Sequence, residues 1–147
     1  MRSAAGEFAG LSIADDPDVE ALFQSATIGS LTLKNRIVMA PMTRQRASLS
    51  GRVTDIMIDY YRQRASAGLI VSEGIYPCRR GCGYLFSPGL HDDLQQAGWR
   101  DITDAVHSVG GAIFAQIMHV GRLSDPLILD GAAPLAPSAV QPDPTAR

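Results

Sequence analysis

The chain has 147 residues, of which 46% are hydrophobic and 19% are charged, and its net charge is -2. This composition predicts one globular domain and gives no electrostatic argument for nucleic acid or an anionic membrane as a partner. No apolar stretch approaches the roughly 18 residues that span a bilayer, and the acidic N-terminal segment lacks the apolar run of a secretory signal, so we expect a cytoplasmic protein.

The first elements are predicted between residues 1 and 41. Residues 1–21 lack clear periodicity and predict a loosely ordered leader, with one short helix near residues 19–23. Residues 27–33 alternate β-branched and apolar residues around Gly-Ser, which is typical of a hairpin. Residues 36–41 are a short apolar run closed by proline, and they predict a strand that is buried on both faces.

Two helices and two further strands follow. Thr54 is a candidate N-cap for a helix that we expect to end at Gly68, and residues 69–74 predict a second buried strand. After a loop over residues 77–89, a second helix is expected from Asp92-Asp93 to Gly110-Gly111. Its predicted buried face comprises Leu94, Ala97, Ile102, Ala105, Val106 and Val109.

The chain ends with a third predicted strand and an irregular tail. The strand covers residues 112–118, and five of the nine prolines fall between Pro126 and Pro144. Helices between buried strands indicate right-handed crossovers and a parallel α/β sheet. Part of a (β/α) barrel and a small doubly wound sheet both satisfy this pattern, although no Gly-x-Gly-x-x-Gly fingerprint follows the first strand.

Cys78 and Cys82 lie four positions apart. A tetrahedral zinc site needs a second pair of Cys or His ligands, and no such pair is suitably placed. A disulfide is geometrically conceivable but would be unusual in a reducing compartment. We therefore expect two ordinary thiols in a loop and no metal site.

Polar residues follow each predicted strand, where ligands of parallel sheets collect. Thr43 offers a hydroxyl, Gln116 offers an amide donor and acceptor, and Gly74 lets a flat ligand approach the backbone. Such a set suits the edge of a heteroaromatic ring, but polar residues at strand ends are also common. Glu73 invites assignment as a general base, yet its place inside a Ser-Glu-Gly run favours a structural hydrogen bond.

Four segments resemble the old yellow enzyme family, and they occur in the family's order. They are LTLKNRIVMAPMTR at residues 31–44, YYRQRASAGLIVSE at 60–73, PGLH at 88–91 and QIMHVGR at 116–122. The resemblance implies a TIM barrel that binds FMN at the carboxyl ends of its strands. It also implies reduction of the flavin by NADH or NADPH, followed by hydride transfer to a small electron-poor alkene, quinone or nitro compound.

The resemblance assigns five flavin contacts. Pro41, Met42 and Thr43 would line the isoalloxazine, with the Thr43 hydroxyl directed at the flavin C4 carbonyl. Gln116 would bind the pyrimidine edge, and Gly74 would lie against the ring system. Two departures are that Gly74 stands where alanine is frequent, and that Met118 stands where many relatives carry a pocket-lining tryptophan.

The resemblance also implies that only the N-terminal part of the barrel is present, because a full barrel needs about 250 residues. Residues 22–124 would form this part, with residues 125–147 as a Pro-rich tail. The family's His/Asn or His/His substrate clamp and proton-donating Tyr belong to later strands, so no catalytic residue is expected here. Open sheet edges predict poor folding alone, self-association or a complementing barrel chain. The alternative is a non-catalytic remnant or interaction piece.

Overall fold

The computed structural model describes residues 17–143. Most of the predicted leader, residues 1–16, lies outside this range. The short helix expected near residues 19–23 is present as α1, Pro17–Phe23. None of the helices within the described range has the length and apolar character that crossing a membrane would require.

The predicted hairpin is present. Strand β1, Ala26–Ile28, pairs antiparallel with β2, Leu31–Leu33, and Thr27 lies opposite Thr32. Gly29 adopts a φ of 59° in the turn, which is a left-handed conformation that glycine adopts without steric cost.

The main sheet has three parallel strands in the order β3-β4-β5. They are Val38–Met39, Leu69–Ile75 and Ile113–Ile117. Helix α2, Asp55–Arg62, connects β3 to β4, and helix α3, Asp93–His107, connects β4 to β5. The predicted alternation of strand and helix and the predicted parallel sheet are therefore confirmed.

The first strand of this sheet is shorter and more exposed than predicted. A strand buried on both faces was expected over residues 36–41, but β3 covers only Val38–Met39 and Val38 is 47% exposed. Strand β3 pairs with β4 on one side only. An edge strand has a neighbour on one side only, so its side chains are less covered than those of a central strand. The expectation that this strand is buried on both faces was therefore wrong.

Helix α2 ends at Arg62 rather than at Gly68. Beyond Arg62 the chain forms tight turns, in which Ala65 donates its backbone N–H to the Arg62 carbonyl three residues earlier. Gly68 has a different role from the predicted helix stop. A Cβ at Gly68 would lie 2.0 Å from the backbone oxygen of Asn35, so only glycine permits this close approach of two chain segments.

The two long helices begin differently. Asp92 is the N-cap of α3, and its carboxylate accepts the backbone N–H of Gln95 at 2.8 Å. Thr54 occupies the predicted N-cap position of α2, but its hydroxyl donates to the Arg46 carbonyl at 2.7 Å and makes no capping bond. The predicted starts of both helices are therefore confirmed, whereas Thr54 makes no capping bond and the capping bond of Asp92 was not predicted.

The core lies between the two helices and β4, and Trp99 packs within it. Its buried members include Met57, Tyr61, Ile70, Ile75, Trp99, Ile102 and Val106. The predicted buried face of α3 was partly wrong, because Leu94 and Val109 are 55% and 46% exposed and Ala97 is exposed as well. Gln95 is buried instead, and its side chain accepts the His91 N–H and donates to the Ser50 carbonyl.

The segment after β5 is irregular, as predicted. It begins with a 3-10 turn, Gly121–Leu123, and residues 124–143 contain no helix or strand. Leu129 is buried against Tyr76 and Cys82, so this segment packs onto the loop after β4. Both cysteines are free thiols.

Candidate functional site

The five predicted cofactor residues lie at the carboxyl ends of the three parallel strands. Pro41, Met42 and Thr43 follow β3 and are exposed. Gly74 is the second-last residue of β4, and it is the register partner of Gln116 in β5. Gly74 is buried and Gln116 is half-buried.

A buried carboxylate attaches the exposed loop to the sheet. The Arg44 backbone N–H donates to Glu73 Oε2 at 3.1 Å, directly after Thr43 in the chain. The Glu73 side chain is 1% exposed. The Tyr61 hydroxyl donates to Glu73 Oε1 at 3.2 Å and accepts the Glu73 N–H at 2.9 Å. The predicted structural hydrogen bond of Glu73 is therefore confirmed.

Burial raises the pKa of Glu73, and the hydrogen bond from the Arg44 backbone opposes this shift. Burial likewise raises the pKa of Tyr61, with the nearby Glu73 charge adding to it. Both acceptor oxygens of Glu73 are engaged by donors of the protein itself. This arrangement suits a group that holds two segments together rather than one that takes a proton from a ligand.

A β-bulge lies beside Gly74. The register between β4 and β5 shifts between Val71 and Gly74, so that three steps along β4 match two steps along β5. A side chain takes part in the pairing there, because the Gln116 N–H donates to Ser72 Oγ at 3.1 Å. The Ser72 hydroxyl donates to the Glu73 carbonyl at 2.9 Å. Bulges are frequent next to functional sites, where they redirect side chains.

The space over Gly74 is taken by a flexible side chain. A Cβ built at Gly74 would lie 2.6 Å from Met118 Cε and 3.0 Å from Met118 Sδ. Met118 is held in register, because its N–H donates to the Ile75 carbonyl at 2.9 Å. A flat ligand that reaches the Gly74 backbone from this side must therefore displace the methionine thioether, which has three rotatable bonds.

The arginines near the site have partners within the chain. The Arg44 and Arg64 guanidinium carbons lie 5.6 Å and 3.8 Å from the centre of the Tyr60 ring. Arg46 donates to the backbone carbonyls of Arg44 and Gln45. These contacts agree with a structural role for the arginines rather than with a preformed anion site.

Sequence reasoning missed the supporting roles of Ser72 and Tyr61. Ser72 lies in an otherwise apolar run, and Tyr61 follows a second tyrosine, Tyr60, in the helical segment. A buried serine inside an apolar strand was the available signal, since a buried hydroxyl needs a hydrogen-bond partner. The partner itself depends on the bulge, which the sequence pattern does not reveal.

Comparison with known proteins gives a consistent set of relatives. Residues 21–144 match the profile of the NADH:flavin oxidoreductase / NADH oxidase family. The flavin oxidoreductase hxnT of Emericella nidulans is 42% identical over 127 residues, which cover 83% of this chain and 33% of that protein. An NADH oxidase of Thermoanaerobacter brockii is 43% identical, covering 81% of this chain and 19% of that protein.

Solved structures share the fold. The old yellow enzyme homologue from Zymomonas mobilis superposes with a TM-score of 0.79 at 48% identity, covering 82% of this chain and 34% of that one. Morphinone reductase in complex with tetrahydroNAD superposes with a TM-score of 0.78 at 45% identity, covering 82% and 33%. The chain thus spans about a third of the length of most of these relatives.

The residues at the strand ends fit a flavin by their chemistry. Thr43 presents a hydroxyl from an exposed loop, Gln116 presents an amide with a donor and an acceptor, and Gly74 has no side chain between them. The strand order of the sheet and the comparisons agree. The chain belongs to the NADH:flavin oxidoreductase / NADH oxidase family, and its fold is the N-terminal part of the TIM barrel of the old yellow enzymes.

Proposed function

We propose that this chain supplies the flavin-contacting N-terminal part of an FMN-dependent NAD(P)H oxidoreductase of the ene-reductase type. One observation carries the proposal: Thr43, Gly74 and Gln116 lie at adjacent strand ends that the side chains of Ser72 and Glu73 connect. In the proposed roles, Pro41, Met42 and Thr43 line one side of the isoalloxazine. The Gln116 amide binds the pyrimidine edge.

Bound FMN supplies a ring that accepts a hydride from NADH or NADPH and passes it to an electron-poor alkene, quinone or nitro compound. The chain's own contribution is to orient and tune that ring. A hydroxyl donor at Thr43 favours the electron-rich reduced flavin, because it stabilises negative charge at a carbonyl oxygen. Gln116 fixes the rotation of the ring by offering both a donor and an acceptor.

A second candidate function is a non-catalytic remnant or interaction piece that needs a complementing barrel chain or self-association. The observation in its favour is the uncovered apolar surface at the sheet edges. Val38 is exposed on β3, and Phe114 and Ile117 of β5 are 51% and 54% exposed. Unpaired edges with apolar residues favour pairing with another chain.

Titration of the 147-residue chain with FMN, followed by flavin fluorescence and absorbance, tests the first proposal. We expect weak binding, because the phosphate site lies in later strands, and still weaker binding in Thr43→Ala and in Gln116→Ala. Thr32→Ala in the hairpin and Gln63→Ala after α2 are matched controls, because both side chains are exposed and neither residue lies at the carboxyl end of a strand of the main sheet. Equal binding by all five proteins, or no binding by a folded chain, would refute the flavin role.

Sedimentation velocity over a range of concentrations tests the second candidate. Self-association of the unmodified chain that disappears in a double variant, Phe114→Ser with Ile117→Ser, would support an interface at β5. A monomer at every concentration, with a cooperative thermal transition, would exclude self-association and argue against a need for a complement.

A further inference from the structure

We infer that Ser72 and Glu73, the two residues of the β4 bulge, are positioning residues that set the flavin contacts of both neighbouring segments. Glu73 holds the loop after β3, and Ser72 holds β5. The consequence for cofactor binding rests on the function proposed above. The positioning itself concerns only the chain and can be measured without FMN.

The bulge places two adjacent polar side chains inside the core. Ser72 is fully buried and Glu73 is 1% exposed. The Glu73 N–H and the Ser72 hydroxyl both have partners. The Glu73 N–H donates to the Tyr61 hydroxyl, and the Ser72 hydroxyl donates to the Glu73 carbonyl. A buried polar pair that is fully hydrogen-bonded stiffens its surroundings.

On one side, Glu73 fixes the orientation of the Thr43 peptide. The Arg44 N–H that donates to Glu73 Oε2 belongs to the same planar peptide unit as the Thr43 carbonyl. A hydrogen bond that restrains this N–H therefore also restrains the Thr43 carbonyl, in a loop that is otherwise exposed. The Tyr61 hydroxyl restrains the carboxylate in turn through Oε1.

On the other side, Ser72 fixes Gln116. The Gln116 N–H lies at the register shift, where Ser72 Oγ accepts it at 3.1 Å. The backbone of Gln116 is thereby tied to the residue next to Glu73. One two-residue irregularity thus determines the spacing between the Thr43 hydroxyl and the Gln116 amide across the sheet.

Amide hydrogen exchange of the full chain, followed residue by residue, tests the inference. In Glu73→Ala we expect the Arg44 amide to exchange at least about tenfold faster, with the Gln116 amide unchanged. In Ser72→Ala we expect the reverse pattern. The amides of Ile102 and Val106 in the core should stay protected in both variants, which separates a local effect from general unfolding.

Glu73→Gln keeps one acceptor oxygen and should restore Arg44 protection to within about threefold of the unmodified chain, because an amide oxygen still accepts one hydrogen bond. If Glu73→Ala does not fold, the exchange of the Arg44 amide can still be measured in Glu73→Gln. Parallel loss of protection at Arg44 and Gln116 in either variant, or no change at either amide, would overturn the inference.

FMN titration of the same variants separates this inference from the proposed function. If the unmodified chain binds FMN, Glu73→Ala and Ser72→Ala should each weaken binding about tenfold, and Glu73→Gln much less. Unchanged affinity alongside the expected exchange pattern would contradict a role in setting cofactor contacts. If the unmodified chain binds no FMN, the proposed function fails, while the exchange pattern still decides whether the bulge positions Thr43 and Gln116.

Discussion

The Tyr61 hydroxyl makes two hydrogen bonds to Glu73: it accepts the backbone N–H at 2.9 Å and donates to Oε1 at 3.2 Å. Both residues are buried, so helix α2 and strand β4 are joined by a polar contact inside the core. Such contacts contribute little net stability when complete, but removing one partner leaves a desolvated group unpaired. This asymmetry makes the pair sensitive to mutation and to pH.

Tyr61→Phe should therefore lower the free energy of unfolding by about 1–3 kcal/mol, because the Glu73 N–H and one carboxylate oxygen lose their partner. Tyr60→Phe is the matched control on the same helix, where the half-buried ring keeps its contacts. We expect a change of less than about 0.5 kcal/mol for the control. Urea denaturation at a fixed protein concentration gives both values, and equal effects would contradict the assigned role of Tyr61.

The pH dependence of stability should report on Glu73. Its folded pKa is raised above the ordinary value of 4.5 by burial, so the folded state holds this proton more tightly than the unfolded chain does. The resulting stabilisation is present below pH 4.5 and is lost as the pH rises through the folded pKa. Urea midpoints measured on both sides of this window should fall less in Glu73→Gln than in the unmodified chain. An identical change of the urea midpoint with pH in the two proteins would mean that Glu73 does not titrate in this way.

Two glycines should respond very differently to alanine. Gly68→Ala places a Cβ 2.0 Å from the backbone oxygen of Asn35, which cannot move without shifting the chain. Gly74→Ala meets the flexible Met118 side chain, with Cε at 2.6 Å and Cβ at 3.3 Å, and no backbone atom among its nearest neighbours. We expect a loss of at least about 2 kcal/mol for Gly68→Ala and less than about 1 kcal/mol for Gly74→Ala. Thermal denaturation that ranks them in the opposite order would refute this packing.

The buried face of α3 can be checked with one pair of substitutions. Ile102 is fully buried and Leu94 is largely exposed on the same helix. Ile102→Ala should lower the free energy of unfolding by about 2–5 kcal/mol, because it removes buried methyl groups and leaves a cavity. Leu94→Ala should change it by less than about 0.5 kcal/mol. A large loss of unfolding free energy in Leu94→Ala would contradict the observed exposure of Leu94 and support the buried face that the sequence pattern predicted.

The parallel sheet and the residues at its strand ends were predictable because continuous apolar runs and intervening helical periods are local signals. The strand β4 agreed with its prediction to within one residue. The face of α3 was not predictable in full, because the buried Gln95 side chain forms hydrogen bonds to the nearby His91 and to Ser50, which lies 45 residues away in sequence. Periodicity counts apolar residues and gives no weight to a buried amide whose partners lie elsewhere.

The bulge was not predictable either. Its register shift depends on which residues of β5 face β4, and the sequence of one strand does not contain that information. The short β3 has a related cause, because the exposure of Val38 follows from the absence of a second neighbouring strand within the described residues. Local patterns therefore placed Thr43, Gly74 and Gln116 at strand ends but did not predict the contacts that hold them.

The central claim is that the ends of β3, β4 and β5 form a flavin-binding surface, and amide chemical shifts recorded during FMN addition test it most directly. We expect the largest shift changes at Thr43, Gly74 and Gln116, with Asp104 on the outer face of α3 unchanged. An alternative location is the groove of about 320 Å³ between β5 and α3, lined by Trp99, Thr103 and Phe114 among others. Shift changes confined to that groove, or none at saturating FMN, would contradict the claim.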